Sequence, residues 1–242
     1  MSGLGDVLEL IFARPDTWVP VHAVAREWQE REVAKQVGER FYDSLPDQPL
    51  PMVVKAMTIP AFAVAAVWDV GRRVRRRGAT PTAPEESELS VWLDAAGRAR
   101  VERIWAGGAE RRVSVVRIAG NELPRADWST PPYPVPDGGD VERLFAHRHL
   151  REILSELTLQ HVGDGEVAGR GVVVVRAERR GPHGLWPHWL PYGADEYELR
   201  LDREHGHLLG FVARAGGAEY AGLAVTAITY GVEIDPGVLG EP

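Results

Sequence analysis

The sequence predicts an α+β fold: one large, strongly curved antiparallel sheet with helices on one side. Three observations predict it. Nine or ten segments alternate apolar and polar residues with the period of two that marks a half-buried strand. They follow one another through short turns, which suits antiparallel neighbours and needs no crossover helices. Helical periodicity is confined to the start of the chain and to one stretch in its middle. At 242 residues, 44% hydrophobic and 26% charged, the chain is long enough for one large core. It contains no cysteine, which excludes a disulfide scaffold, a thiol enzyme and a cysteine-ligated metal. A net charge of -7 argues against general nucleic-acid binding, because an acidic chain repels phosphate.

The elements follow in order. Leu4, Val7, Leu8 and Ile11 recur at helical spacing, and Pro15 ends that helix. Val19, Val21, Ala23 and Ala25 alternate with Trp18, His22, Arg26 and Trp28, which predicts a first strand. Val33, Val37 and Phe41 sit about four apart among charges, which predicts an amphipathic helix over Arg31 to Leu45. Ile59 to Trp68 is apolar on every side, so a helix there must lie in core, in a ligand cavity or in lipid. Arg72, Arg73, Arg75, Arg76 and Arg77 follow at once. They either cap a solvated helix end, where cations offset the dipole, or meet an anionic lipid surface or an acidic partner.

Gly78 to Ser87 reads as a polar linker. The whole chain is then one domain: helices and a first strand up to Arg77, the linker, and the main sheet region from Glu88 to Pro242. Strands are expected at Leu89 to Leu93, Val101 to Trp105 and Val113 to Ile118, with a turn at Ala95-Ala96-Gly97. Trp128 to Gly139 is a proline-rich loop. One helix, capped by Asp140, runs to Ser155. Leu157 to Val162 and Val172 to Arg179 are strands joined through glycines 163, 165, 169 and 171. A loop carrying Trp186 and Trp189 precedes three closing strands: Glu196 to Asp202, Leu208 to Ala215 and Tyr220 to Tyr230.

Two stretches carry a resemblance. One is the glycine-led strand Gly165 to Ala177. The other begins at Tyr197-Glu-Leu-Arg-Leu-Asp202, passes the turn Gly206-His-Leu208, and ends at Val225 to Gly231 and Ile234-Asp-Pro236. In that order they resemble the C-terminal half of the LolA-like superfamily. That group includes lipoprotein carriers, the RseB N-terminal domain and mycobacterial LppX- and LprG-type lipoproteins. The strand Ala194 to Leu199 is most similar to actinobacterial members. The resemblance implies an unclosed half-barrel whose concave face is covered by helices. It also implies that this face holds acyl chains or a partner's apolar side chains.

No Gly-x-Ser-x-Gly elbow, phosphate loop, dinucleotide fingerprint or His-Glu-x-x-His motif is present. Asp195 and Glu196 are adjacent on a strand start and diverge, which does not suit an acid–base pair. His205 and His207 flank Gly206 as turn residues, and His147 and His149 point to different helix faces, so no metal and no cofactor are expected. These readings predict a non-enzymatic module that binds an apolar, acyl or isoprenoid-like small molecule or lipid. The walls are Phe62, Trp68, Trp92, Trp105, Trp186 and Trp189. The alternative is a protein-interaction module, its hollow plugged by its own helix. The arginines 72 to 77 would then recruit an acidic or membrane-associated protein partner.

No run approaches the roughly 20 apolar residues that span a bilayer, so membrane contact is peripheral at most. Met1 to Trp18 has no basic start, is interrupted by Asp6 and Glu9, and offers no cleavage site. That predicts no signal peptide and a cytoplasmic setting.

Overall fold

The computed structural model describes residues 3–13, 18–43, 84–106, 111–117, 139–180, 190–191 and 193–239. The apolar stretch Ile59 to Trp68, the arginines 72 to 77 and the loops around 128 and 186 lie outside them.

The described residues form five helices and nine strands. Helix α1 spans Leu4–Ala13, α2 Arg31–Asp43, α3 Gly139–Phe145, α4 His147–Ser155 and α5 Pro236–Leu239. The strands are β1 Val21–Gln29, β2 Glu85–Leu93, β3 Arg98–Trp105, β4 Arg111–Arg117, β5 Leu157–Val167, β6 Arg170–Arg179, β7 Glu196–Asp202, β8 Leu208–Ala215 and β9 Ala218–Tyr230. All nine belong to one antiparallel sheet, in the order β4-β3-β2-β1-β9-β8-β7-β6-β5. Among the described residues β4 and β5 have one strand neighbour each, so the sheet is not closed.

The order shows two meanders fused at one seam. Strands β1 to β4 follow one another outward, and β9 back to β5 do the same on the other side. The seam is β1 against β9, which joins the start of the chain to its end. Every residue of β1 has a partner on both sides: Val21 faces Leu93 and Tyr230, and Gln29 faces Glu85 and Ala221.

Four irregularities in register interrupt the ladders. They leave Thr226, Val162, Leu209 and Tyr220 as the extra residues. An extra residue bends its strand and raises the local twist, so these four curl the sheet.

Alternation then sorts the side chains. Val21, Ala23 and Ala25 of β1, Leu89, Val91 and Leu93 of β2, and Leu199 and Phe211 further on are all buried on one face. Helices pack on this face because an antiparallel sheet leaves one apolar side to cover. Helix α3 touches β8 and β3, α4 touches β5, α1 touches β6, and α1 lies along α4. The opposite face carries ion pairs instead. Arg214 bonds to Glu196, Glu198 and Glu219, and Arg200 bonds to Glu198.

The structure corrects three expectations. The linker ends three residues earlier than the sequence suggested, because Glu85 to Ser87 already pair with β1 as part of β2. The single helix from Asp140 to Ser155 is two helices. Ala146 is extended between them, with φ -94° and ψ 111°. The glycines expected to form a loop after Val162 mostly do not: β5 runs through Gly163 and Gly165 to Val167, and the turn is only Ala168-Gly169. Both turn residues have positive φ, 50° and 76°, as a two-residue hairpin requires. Gly163 and Gly165 look like turn residues because a strand glycine and a turn glycine read alike.

The tip of the β7–β8 hairpin docks the sheet onto the helices. Gly206 has φ 68°, and a Cβ built there would lie 2.9 Å from Ile11 Cγ1 and 3.5 Å from His147 Nε2. We predict that Gly206→Ala lowers unfolding stability by about 2–4 kcal/mol, from left-handed strain plus overpacking. Urea midpoints check this; an unchanged midpoint would mean that α1 does not rest on the hairpin.

Candidate functional site

The helix-covered face is apolar over most of its area, with two polar islands set into it. The first lies where β1, β2 and β3 run side by side. Alternation turns Glu27, Ser87 and Arg103 onto the same face as Ala25, Leu89 and Val101. Arg143, on the last turn of α3, reaches down to them. Its Nη1 donates to Glu27 Oε1 at 3.0 Å, and its guanidinium stands 5.4 Å from the Phe211 ring. Arg103 pairs with the other oxygen of Glu27 and donates to Ser87 Oγ at 2.9 Å. One carboxylate thus ties a helix to two strands.

Burial alone would push the Glu27 carboxyl up. Attraction and hydrogen bonds from Arg143 and Arg103 outweigh it and bring the carboxyl down from 4.5 to about 2. The folded state therefore holds this proton less well than the unfolded chain. The resulting stability is present above pH 4.5 and lost as pH falls toward about 2. A shift of that size corresponds to about 3 kcal/mol.

The second island sits at the β7–β8 tip. Asp202 is fully buried and accepts from the backbone N–H of Glu204 at 2.9 Å and of His205 at 2.7 Å. Arg170 ion-pairs with it across the sheet and also lies 4.7 Å over the Tyr230 ring. The long strand β9 brings Tyr230 over this tip, where it stacks on His205 at 3.9 Å. His207 is buried beneath, its Nδ1 sharing a 2.9 Å hydrogen bond with the Tyr230 hydroxyl. His147, the first residue of α4, donates from Nε2 to the His205 carbonyl at 2.6 Å. Its ring is 5.2 Å from that of His207, which also meets Phe145 edge-on at 5.4 Å.

The turn reading of His205 and His207 is thus incomplete. The break at Ala146 swings His147 onto the same corner, and no local spacing signals it. Among the described residues no group of three or more His, Asp and Glu is placed to hold a metal ion. None of the described helices is long and apolar enough to cross a membrane.

The wall residues named from sequence divide. Trp105 follows the covered-face register of β3, opposite Ser87. Trp92 stands on the other face, because it pairs with His22, and the two rings stack at 4.9 Å. It lines the outside of the sheet and not its covered side. Phe62, Trp68, Trp186 and Trp189 lie outside the described residues, as do Arg72, Arg73, Arg75, Arg76 and Arg77. The sequence reading missed Glu27, Arg103 and Arg143. The signal was available for Glu27, a charged residue in phase with the apolar side of a strand.

No protein-family model matches the chain, and no curated protein matches it. Among solved structures it is similar to MucB, at 16% identity over 98% of this chain and 62% of that one, with a TM-score of 0.48. It is similar to the MucA/MucB complex of Pseudomonas aeruginosa at 14% identity, over 99% of this chain and 59% of that one, with a TM-score of 0.45. A LolA superfamily protein from Nitrosomonas europaea matches over 100% and 99% of the two chains, at 8% identity and a TM-score of 0.23. The chain spans less than two thirds of the MucB chains it matches.

Two predictions follow from the islands. Glu27→Gln leaves two arginines facing each other and should cost about 3–5 kcal/mol at neutral pH. Chemical denaturation at pH 7 and pH 3 reads it: the loss should shrink at the lower pH, where wild-type Glu27 is itself losing its advantage. For His207, burial first, then the charges of His147, His205 and Arg170, push the ring well below its usual 6.5, against the pull of Asp202. The unfolded chain takes up that proton first, so stability should fall as pH drops below about 6.5, by up to about 1.4 kcal/mol per unit. His207→Gln should flatten the profile between pH 7 and pH 5.5; an equally steep profile would assign the loss elsewhere.

Proposed function

We propose that this chain is a non-enzymatic binding module that holds an apolar, acyl or isoprenoid-like ligand against the covered face of its sheet. One observation carries the reading. Apart from the two polar islands, the face is apolar across β1, β2 and β6 to β9, and the sheet that bears it is open at both ends among the described residues. A closed barrel seals its lining, whereas an open sheet lets a guest slide in beside its own helices. The ligand lies over β1 to β3, where Val91 and Val101 adjoin the Glu27 island and Trp105 stands at the end of β3. A guest of a dozen methylenes gains roughly 10 kcal/mol on leaving water, at about 0.8 each. The sequence resemblance to lipoprotein carriers supports the same class of ligand. A cytoplasmic setting belongs to the same proposal.

The test is displacement of a fluorescent fatty acid. Delipidated full-length protein should bind cis-parinaric acid saturably, and unlabelled palmitate should compete. Trp105→Ala should weaken binding roughly five- to tenfold while the protein stays folded, a loss of about 1 kcal/mol. Absence of saturable binding to the folded wild-type chain would overturn the reading.

A further inference from the structure

The two edges of the sheet are built differently. Strand β5 carries an irregular register at Val162, with His161, Asp164 and Glu166 around it. A bulge of this kind spoils an edge for further pairing. Among the described residues, strand β4 has no such defence. All seven of its residues pair with β3 without a register shift, and β3 is its one strand neighbour among the described residues.

The composition of this edge is also out of keeping with the chain. Strands β3 and β4 carry six arginines and one glutamate, in a protein of net charge -7. The register sets Arg103 opposite Arg112, and Arg103 is held by Glu27 while Arg98 is held by Asp94. A fold that needed only a blunted edge would reach that end with one cation or a bulge, as β5 does. On the outer side, Glu102 bonds to both Arg100 and Arg111. Beside this network Ile104 and Val113 are exposed, at 37% and 44%. Large apolar side chains held in water next to a cationic ribbon mark a surface that meets a partner.

We propose that β4 is a docking edge for an acidic, extended peptide segment, which adds to the sheet as a further strand. The backbone of β4 supplies the ladder, and the arginines supply the choice of partner. The geometry favours a strand over a membrane. Arg111 and Arg112 are successive residues, both exposed, so they project to opposite faces of the sheet. A lipid surface can touch only one of those faces. An added strand carries side chains on both and meets the two together, while an apolar residue of the same strand covers Val113.

The probe is a fluorescein-labelled peptide, Thr-Glu-Glu-Val-Glu-Glu-Thr, titrated with the full-length chain and read by fluorescence anisotropy. Saturable binding is expected. It should weaken by at least about tenfold in the Arg111→Glu, Arg112→Glu double variant, with thermal unfolding confirming that the variant folds. The same peptide N-methylated at alternate residues keeps every charge but loses ladder donors, and it too should bind about tenfold more weakly. This arm needs no change to the protein. Equal binding of the methylated peptide would overturn the added strand. So would the absence of saturable peptide binding, or binding confined to phosphatidylglycerol vesicles.

Discussion

The pairing of β1 with β9 is the constraint on which the rest of the structure depends. Each strand closes one meander, and only their contact makes a single sheet. Without it there would be a four-stranded ribbon and a five-stranded one, each with an apolar side too narrow to cover a core. With it, one continuous apolar face exists, and everything else must come to terms with that face. Its small residues make close approach possible: Ala23 and Ala25 stand in the middle, where larger side chains would hold the helices away. The loop-closure entropy of joining the ends of so long a chain is modest, because it grows only with the logarithm of length. The many ladder bonds and the buried area offset it.

The two polar islands are then best understood as fasteners. A purely greasy contact between helix and sheet is adaptable and sets no position. A carboxylate shared by arginines from α3 and β3 fixes α3 along the sheet, because the charge has to be met at one place. The His207 corner does the same for α4 and α1 at the other end. Between these two anchors the covered side of β6 and β8 is set by apolar residues such as Val173, Val175, Ala177, Leu208, Phe211 and Ala213. The anchors are also the parts of the covered face most sensitive to acid, since each depends on a group holding its neutral-pH charge state.

Much of this was legible in the sequence. Period-two alternation located all nine strands, because each has one face in the core and one in water. The turns at Gly97 and around Gly206 were readable from Asp and Gly, whose chemistry is local. What was not legible was long-range. Nothing near Val21 says that it lies beside Tyr230, and nothing in α4 says that His147 will sit on the carbonyl of His205. Trp92 looked like a wall residue because size and apolarity carry no sign of face. Only the phase of β2 against β1 shows that it stacks outside on His22. Glu27 shows the converse: its phase was visible, but its meaning depended on Arg143, more than a hundred residues away.

The central claim is that the covered side of an open sheet carries a greasy guest. Native mass spectrometry of the intact, gently purified protein addresses it most directly. The account predicts a population heavier than the bare chain by the mass of a lipid-like molecule, which organic extraction removes and a fatty acid restores. A single species at the mass of the polypeptide, unchanged after incubation with fatty acids and isoprenoids, would mean that the chain's own side chains fill that space.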